Sequence, residues 1–373
     1  MNKIKLIADY TIPFLKGIAE DFAEVLYLPS TDFSPAAVKD ADALIVRSVD
    51  KCTRELLEGS RVKLIVTATI GFDHIDTAYC EEAGIVWKNV PGCNAVSVAE
   101  YVVSALLYTA LKLDERLAGK TIGIIGVGHV GKEVERCCSA LGMQVLRNDP
   151  PRAELEGESN FVSLDVIARE ADVITLHTPL EKTGKYPTYH LADQTFFKKL
   201  KLRPWFLNAA RGGILDTKAL IEAKKEGLVS ELILDCWERE PAIDRQLLDL
   251  ATIATPHIAG FSADGKANAT RACLENIATF FQIPSIRTAE VLPPPPSRAV
   301  IDLSKSTISP IAQAVFHCFN PELIDKRLRK APEKFEDFRA HYDHPREFSA
   351  YTIVNASKKD TFVLKKLGFK TLT

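Results

Sequence analysis

Short apolar runs alternate with helix-like stretches over residues 4–90, a pattern that predicts a parallel sheet covered by helices. Each run spans four or five residues, which is typical of a buried strand and too short for a helix. The predicted strands are residues 4–8, 25–28, 43–47, 64–68 and 86–89. Residues 97–113 then show the pattern of a long, mostly apolar helix, and Ser97 is its predicted N-cap.

The same alternation continues through a second region, where the predicted strands are residues 122–125, 143–146, 173–176, 205–209, 231–235 and 252–255. A helical stretch at 263–281 follows, and we interpret it as the return of the chain to the first domain. The proline run at 292–296 predicts a linker, because consecutive prolines are extended and lack N–H groups for a sheet. Beyond it the pattern predicts a strand at 299–303, helices around 309–342, a strand at 350–355, a helix and a final strand.

These patterns predict the α/β fold class. We expect two doubly wound parallel-sheet domains, Rossmann-like or flavodoxin-like, and a small C-terminal α/β domain. The predicted domains are residues 1–96 together with 257–288, residues 97–256, and residues 289–373. The first of them is therefore predicted to be discontinuous.

A glycine-rich motif follows the strand at 122–125 and opens a helical pattern. Three glycines are spaced as G-x-G-x-x-G, which allows a tight turn, close approach to a pyrophosphate and packing of helix on strand. A second strand and then an acid complete the unit, and such an acid can bind a ribose 2′-OH. The sequence therefore predicts a dinucleotide site. Its predicted residues are Gly126, Gly128, His129, Val130, Gly131 and Asp149, and His129 would contribute its backbone alone.

The composition is that of an ordinary globular protein, with 46% hydrophobic residues and a formal net charge of −2. Because there is no basic excess, we expect neither nucleic acid nor an anionic membrane as a partner. No signal sequence follows the N-terminal MNKIKLIADY and no uncharged apolar stretch is long enough for a membrane span, so we expect a cytoplasmic protein. The 8 cysteines are scattered without a CxxC motif, so we expect neither disulfides nor a metal site.

Three side chains suited to anion binding and acid–base chemistry follow later strands of the second region. They are Arg211 in NAARGG, Glu240 in DCWEREP and His257 in TPHIAG. An arginine fork suits a carboxylate, and a neutral histidine can take the proton of an alcohol that loses a hydride. A carboxylate on the other ring nitrogen fixes the tautomer and favours the imidazolium. Each residue alone is equally compatible with a structural role, and the combination favours a catalytic set.

The segments NAARGGILD, LDCWEREP and TPHIAG resemble the signatures of the D-2-hydroxyacid dehydrogenase family, over at least residues 40–285. A narrower group within that family is similar over nearly the whole chain. The segments that carry this similarity are RSVDKC, TATIGFDHID, NVPGCNAVSVAEY, DPPRA, HIAGFSADGKA, the linker VLPPPPS and the tail EKFEDFRAHYDHPREFSAY. The resemblance implies NAD-dependent oxidation of 4-phospho-D-erythronate to the 2-oxo acid, in vitamin B6 biosynthesis.

The resemblance also implies a role for each matching position. Arg211 would bind the carboxylate and carbonyl oxygen, His257 would be the acid and base on the C2 hydroxyl, and Glu240 would orient it. The further NAD-binding residues implied are Thr178, Ala209, Ala210, Asp235 and Gly260. The implied substrate-binding residues are Arg47, Ser48, Thr69, Gly71 and Phe261. Relatives carry tyrosine where this chain has Phe261, so a phenol hydroxyl that could reach substrate is missing.

Some points stay open at the level of sequence. Arg47 could meet a phosphate or pair with a surface acid, and Arg339 and Arg346 are further phosphate candidates. Other 2-hydroxy acids such as 3-phosphoglycerate, glycerate or lactate are alternative substrates, and a nucleotide-sensing binding protein on the same fold is the alternative of another class.

We expect a homodimer joined through the C-terminal domain, with the helix at 97–113 as a second contact. The apolar stripe on which we base this is Ile308, Ile311, Val315, Phe316 and Phe319.

Overall fold

The computed structural model describes residues 3–284 and 286–372, and their contacts divide the chain into two compact units. Met1–Asn94 with Ser262–Pro294 form the first unit, and Ala95–Phe261 with Pro295–Thr373 form the second. The sequence predicted a third domain from residue 289. In the structure that tail packs with the nucleotide-binding region in one unit, because its helices cover apolar surface there.

The strands are β1 Ile4–Asp9, β2 Ala23–Leu28, β3 Ala43–Val46, β4 Leu64–Thr67, β5 Val86–Lys88, β6 Thr121–Ile125, β7 Gln144–Asn148, β8 Val173–Leu176, β9 Trp205–Asn208, β10 Glu231–Leu234, β11 Ile253–Ala254, β12 Val300–Asp302, β13 Thr352–Val354 and β14 Lys370–Thr371. The helices are α1 Pro35–Val38, α2 Arg54–Leu57, α3 Thr77–Ala83, α4 Ala95–Lys112, α5 His129–Ala140, α6 Pro150–Glu156, α7 Leu164–Glu170, α8 Gln194–Lys198, α9 Thr217–Lys225, α10 Arg245–Leu250, α11 Ala263–Phe281, α12 Pro310–Cys318, α13 Pro321–Lys330, α14 Phe335–Ala340 and α15 Lys358–Leu367.

The first unit is built on a parallel sheet in the order β2-β1-β3-β4-β5. Every residue of β3 and β4 is buried, which explains why these central strands appear in the sequence as unbroken apolar runs. Helix α11 packs against β4 within this unit. The strand order reverses at β1 and β3, and doubly wound sheets bind ligands at the carboxyl edge of such a point.

The second unit contains a parallel sheet in the order β11-β10-β9-β8-β6-β7, with the reversal between β6 and β8. Helices α4 and α5 pack together, and α5 also contacts β6 and β7. Helix α4 has the length and composition of a membrane span, but most of it is buried in this unit, as is common for a core helix. Because the strands of this sheet are parallel, their carboxyl ends lie at one edge, where the loops of the predicted catalytic residues begin.

The tail adds a small parallel sheet, β12-β13-β14, and helices that pack on the same unit. Helix α12 contacts α4 and α15, α13 contacts α4 and β11, and α15 contacts α5. Val315 is fully buried, while Ile308 is 42% exposed. The stripe that the sequence assigned to a dimer contact thus packs mainly inside its own chain: Ile311, Phe316 and Phe319 are partly buried against this core.

The α/β fold and its parallel sheets confirm the prediction from sequence, and the predicted strands lie within two residues of those observed. The prediction of Ser97 as an N-cap is wrong. Helix α4 begins at Ala95 and includes Ser97, whose buried hydroxyl donates to the Ala259 carbonyl at 2.9 Å. Tertiary packing extended the helix past the polar residue and gave its hydroxyl another acceptor.

Candidate active site

The glycine-rich turn follows β6 at the reversal of strand order. Gly126 has φ +89°, and a Cβ on it would lie 2.7 Å from the His177 carbonyl oxygen. A Cβ on Gly131 would lie 2.1 Å from the Gly126 carbonyl oxygen, so α5 can begin against this turn only because both positions are glycine. A Cβ on Gly128 would meet no described atom within 4 Å, so the turn is open on that side.

The N-terminus of α5 adjoins the open side of the turn. Gly128 is the N-cap, His129 is exposed and Val130 is half-buried. The first N–H groups of a helix have no partner inside it, and together with the helix dipole they favour a bound anion. This geometry fits the diphosphate of a dinucleotide.

Asp149 follows β7 and holds the turn while capping α6. Its Oδ2 accepts the Val127 N–H at 2.8 Å, and its Oδ1 accepts the Arg152 N–H at 3.2 Å. Each carboxylate oxygen has two lone pairs, so both keep one for another donor. The carboxylate can therefore accept a ribose hydroxyl without releasing the turn.

The two arginines that flank Asp149 have partners of their own. Arg147 donates from Nε to Glu135 at 2.9 Å, and Arg152 donates from Nε to Glu156 at 2.7 Å. A 2′-phosphate would need an available cation at this place. With both guanidiniums paired, the carboxylate sets the local charge.

Two buried polar atoms without a hydrogen-bond partner lie in the loop after β8, Thr178 Oγ1 and His177 Nδ1. The Thr178 methyl group would lie 2.8 Å from a Cβ on Gly126, so this loop borders the glycine-rich turn. A buried unpaired polar group costs about 1–3 kcal/mol, and a bound group that pairs with it removes that cost. The other predicted cofactor positions, Ala209 and Gly260, are half-buried in the loops after β9 and β11.

Asn208 fixes the loop that carries Arg211. Its Nδ2 donates to the Arg211 carbonyl at 3.0 Å and to the Cys236 carbonyl at 3.2 Å, and its Oδ1 accepts the Ala210 N–H at 3.1 Å. Asn208 is not among the site residues predicted from the sequence. The signal available in the sequence was an asparagine at the end of an apolar strand, and in the structure its amide is fully buried.

The Arg211 guanidinium lies close to its own backbone. Its Nη1 donates to the Ala210 carbonyl at 2.7 Å, and within residues 3–284 and 286–372 it makes no other hydrogen bond. A Cβ on Gly212 would lie 1.9 Å from the Trp237 carbonyl oxygen, so the Arg-Gly-Gly sequence lets this loop touch the next one. The remaining guanidinium donors are available for an anion.

His257 and Glu240 form a hydrogen-bonded pair, with His257 Nδ1 lying 2.8 Å from Glu240 Oε2. The other oxygen, Glu240 Oε1, accepts the Trp237 N–H at 2.7 Å, so the backbone holds the carboxylate. His257 has φ +55°, a sparsely populated region for a residue with a Cβ. Backbone strain of this kind is concentrated at functional sites.

Asp235 holds the loop that carries His257. Its Oδ1 accepts the Thr255 hydroxyl at 2.6 Å and the Ile258 N–H at 2.8 Å, and its Oδ2 accepts the Ala259 N–H at 2.9 Å. Burial raises the pKa of Asp235, and the charge of His257 and these hydrogen bonds only partly oppose it. The predicted contact of Asp235 with a cofactor stays a prediction.

Cys236 lies beside the histidine pair. Ligand atoms of Cys236, Glu240 and His257 are within 4.8 Å of one another, a spacing that could hold a metal ion. Burial raises the pKa of the Cys236 thiol well above its ordinary value; nearby carboxylates add to this, and Arg211 and Arg339 oppose it. Because metals bind the thiolate, this thiol is a poor ligand. The prediction of no metal stays a prediction.

The predicted substrate residues of the first unit follow β3 and β4. Thr69 Oγ1 donates to the Gly71 carbonyl at 2.8 Å and lies 2.7 Å from Thr67 Oγ1. His74 Nε2 lies 3.0 Å from the same Thr67 hydroxyl, which accounts for His74 as part of local loop structure. Ser48 is exposed in the loop after β3.

Arg47 pairs with a buried acid of its own unit. Its Nε lies 3.2 Å from Oδ2 of the fully buried Asp9. Its backbone N–H donates to Asp50 Oδ2 at 2.7 Å. Burial acts to raise the pKa of Asp9, but hydrogen bonds from Thr11 and the charge of Arg47 outweigh it, so the pKa is lowered. The carboxylate beside Arg47 is therefore buried and compensates its charge.

Phe261 is covered by residues of the tail. Its ring centroid lies 5.5 Å from that of His344 in a stacked geometry and 6.4 Å from that of Tyr342. The Arg339 Cζ lies 5.7 Å from the Phe261 centroid. No local sequence pattern predicts these contacts, because they join segments far apart along the chain.

The family profile described as D-isomer specific 2-hydroxyacid dehydrogenase, NAD binding domain, matches residues 105–259. Curated relatives named erythronate-4-phosphate dehydrogenase match nearly the full length. The relative from Porphyromonas gingivalis is 47% identical over 98% of this chain and 100% of its own. Those from Bacteroides thetaiotaomicron and Cronobacter sakazakii are 49% and 37% identical, over 94% and 98% of this chain and 99% and 98% of theirs.

Solved structures with the same fold include two at 29% identity. The D-lactate dehydrogenase of Aquifex aeolicus, in complex with NAD and lactic acid, superposes with a TM-score of 0.61 over 74% of this chain and 96% of its own. The 3-phosphoglycerate dehydrogenase of Entamoeba histolytica, with NAD⁺ bound, superposes with a TM-score of 0.63 over 77% of this chain and 98% of its own.

Proposed function

This chain belongs to the D-isomer-specific 2-hydroxyacid dehydrogenase family, and we propose that it oxidises 4-phospho-D-erythronate at C2 with NAD as cofactor. The observation that carries the proposal is the His257–Glu240 pair, 2.8 Å apart, in the loops after the last strands of the sheet. Relatives named for this substrate are similar to the whole chain, tail included. The product is 2-oxo-3-hydroxy-4-phosphobutanoate, and we assign the reaction to pyridoxal 5′-phosphate biosynthesis.

The histidine pair supplies the acid–base chemistry. With Nδ1–H donating to Glu240, the neutral ring has its lone pair on Nε2, which accepts the proton of the C2 hydroxyl. Glu240 then faces an imidazolium and stabilises it. The Trp237 N–H holds Glu240, so the ring is oriented before substrate binds. Bound NAD⁺ would supply the acceptor for the hydride that leaves C2.

Arg211 binds the carboxylate of the acid in this proposal. Its planar fork can make two parallel hydrogen bonds to a carboxylate, which fixes the orientation of C2. Asn208 fixes the backbone from which the guanidinium projects. Ser48, Thr69 and Gly71 of the first unit remain proposed substrate-binding residues.

The residues of the glycine-rich turn and of β7 would hold NAD. The open side of Gly128 and the first N–H groups of α5 suit the diphosphate, and Asp149 suits the ribose hydroxyls. The unpaired hydroxyl of Thr178 supports a ligand at the loop after β8. The same carboxylate at Asp149 opposes a 2′-phosphate, so we expect NAD to be preferred over NADP.

A substrate panel tests the proposal. Formation of NADH from NAD⁺ is measured with 4-phospho-D-erythronate, D-erythronate, 3-phospho-D-glycerate and D-lactate. We expect kcat/KM to be far higher for the phosphorylated four-carbon acid than for the others. Equal or better turnover of another acid would leave only the family assignment, and NAD binding without turnover of any acid would favour a nucleotide-sensing protein.

We propose further that the protein is a homodimer and that the tail forms the contact. Val300 of the edge strand β12 is 59% exposed and Ile308 is 42% exposed, which leaves apolar surface on the tail. Light scattering of V300K/I308E tests this, with L26E, which alters an exposed leucine of the first unit, as the control. A V300K/I308E protein that keeps the mass of the wild type contradicts the proposed contact.

We also propose that the protein is cytoplasmic. Most of the 8 cysteines are buried thiols, which suits a reducing compartment. Fractionation of the cells that produce it, followed by detection of the protein with an antibody, tests this. Recovery in the membrane or secreted fraction contradicts it.

A further inference from the structure

One arginine of the tail carries a donor that its own chain does not use. Arg339 lies in α14, and its Nε is buried without a hydrogen-bond partner. Its ion pair, with Glu336 Oε1, is 3.8 Å long, which is beyond hydrogen-bond distance. A buried donor left unpaired is costly, and more so when the group is charged. An anionic ligand that supplies the acceptor would remove this cost.

Arg339 lies among the loops of the candidate active site. Its Cζ is 5.7 Å from the ring centroid of Phe261, which follows the His257 loop. Burial raises the pKa of the Cys236 thiol, and the charges of Arg339 and Arg211 both oppose that rise, so both guanidiniums lie near this thiol. Two cations therefore face the same edge of the sheet, although the proposed substrate carboxylate needs only one.

The Arg339 guanidinium lies over the face of the Phe261 ring. An aromatic face attracts a guanidinium stacked on it, and stacking keeps the N–H groups in the plane of the fork free to donate. A phosphate offers three strong acceptor oxygens that match this fork. Phenylalanine at this position thus supplies a stacking face for an arginine.

Arg47, the other arginine considered for the phosphate, also has a buried Nε without a hydrogen-bond partner, so the two arginines differ only in charge balance. Arg47 has a similar exposure, 31% against 30% for Arg339. Its Nε, however, lies 3.2 Å from the buried carboxylate of Asp9, whose pKa its charge lowers. The charge of Arg47 is therefore compensated by Asp9 of its own unit, whereas Arg339 has only the 3.8 Å ion pair with Glu336.

We propose that Arg339 binds the phosphate group of the substrate while Arg211 binds the carboxylate, an inference that rests on the proposed function. The substrate has an anion at each end, and the tail contributes the cation for one of them. The tail is then part of the specificity of the enzyme, because it selects a phosphorylated acid over an unphosphorylated one.

The experiment compares R339Q with R327Q. Arg327 is a matched control, since it is an exposed arginine of the same tail whose Cζ lies 4.4 Å from the Phe338 ring centroid. The values of kcat/KM for 4-phospho-D-erythronate and D-erythronate are measured for each, with the inhibition constant of inorganic phosphate. We expect R339Q to lower kcat/KM for the phosphorylated acid roughly 10- to 100-fold, as for loss of charge-assisted hydrogen bonds. Turnover of D-erythronate stays unchanged, phosphate inhibits R339Q more weakly, and R327Q behaves as the wild type.

An equal loss for both acids in R339Q, or no loss for either, overturns the inference. If R339Q does not fold, R339K is measured in its place, because lysine keeps the charge but lacks the two-pronged fork. A loss confined to the phosphorylated acid supports the inference, and an equal loss for both acids overturns it. A wild-type enzyme that prefers an unphosphorylated acid contradicts the proposed function itself. A wild type that prefers the phosphorylated acid, with R339Q unaffected, contradicts only the role of Arg339.

Discussion

Glu240 joins His257 to the backbone of a neighbouring loop. One carboxylate oxygen lies 2.8 Å from His257 Nδ1, and the other accepts the Trp237 N–H at 2.7 Å. Asp235 holds the His257 loop in turn, through the N–H groups of Ile258 and Ala259. The histidine is thus fixed both through its ring and through its backbone, as proton transfer in an oriented complex requires.

Replacement of the histidine tests its role as acid and base. We expect H257A to lose roughly 10²- to 10⁴-fold in kcat, the usual contribution of a positioned acid or base. The control is H317A, which removes an exposed histidine of the tail. Steady-state kinetics with 4-phospho-D-erythronate and NAD⁺ measure the effect, and a near-wild-type H257A enzyme contradicts the mechanism.

Glu240 acts through the histidine, so its replacement changes the pH dependence as well as the rate. In E240Q the imidazolium no longer faces a carboxylate, so the acid limb of the pH–rate profile for oxidation moves to lower pH. E238Q is the matched control, because Glu238 lies in the same loop as Glu240 and also pairs with a histidine, His190, at 2.9 Å. A profile of kcat/KM that moves equally in both variants contradicts a specific role of Glu240.

Asp149 sets the preference for NAD over NADP in this account. D149N keeps an acceptor for one of the two backbone N–H groups but removes the charge that repels a 2′-phosphate. We expect the ratio of kcat/KM for NAD to that for NADP to fall at least roughly tenfold, a change of about 1.4 kcal/mol. Equal values for the two cofactors in the wild type contradict the role of Asp149.

His177 makes stability depend on pH. Burial lowers its pKa to about 3, from an ordinary value of 6.5, and its Nε2 lies 2.8 Å from Thr175 Oγ1. Between these two values the unfolded chain binds the proton and the folded chain does not, so the free energy of unfolding falls as the pH falls. This site alone contributes a slope of up to about 1.4 kcal/mol per pH unit below pH 6.5.

The measurement compares denaturation of the wild type and H177N between pH 7.5 and pH 4. The variant has no titrating group at position 177, so its free energy of unfolding should fall less steeply with acid than that of the wild type. H341A, which alters an exposed histidine, should keep the wild-type slope. Equal slopes for the wild type and H177N contradict a neutral, buried His177.

The strands and the glycine-rich turn could be predicted because local sequence determines them. Buried parallel strands such as β3 and β4 appear as short unbroken apolar runs, and the spacing of Gly126, Gly128 and Gly131 carries its own geometry. The proximity of Glu240 and His257 could be predicted because each follows a strand of one parallel sheet. Carboxyl ends of such strands meet at one edge whatever the loops contain.

The remaining features depend on contacts between distant segments. Ser97 has the character of an N-cap, but packing against Ala259 placed it inside α4. The apolar stripe of α12 could equally cover another chain or its own, and only the fold shows that Val315 is buried within the unit. The contact of Arg339 with Phe261 has no local signal, since neither residue belongs to a pattern that includes the other.

The most direct test of the account follows the hydride itself. Enzyme in stoichiometric amount is mixed with NAD⁺ and 4-phospho-D-erythronate that carries deuterium at C2, then denatured, and the nucleotide is analysed by mass spectrometry. The account predicts NADH that contains the deuterium, together with 2-oxo-3-hydroxy-4-phosphobutanoate. NADH without deuterium, or no NADH from this acid while another 2-hydroxy acid yields it, would contradict oxidation of 4-phospho-D-erythronate at C2.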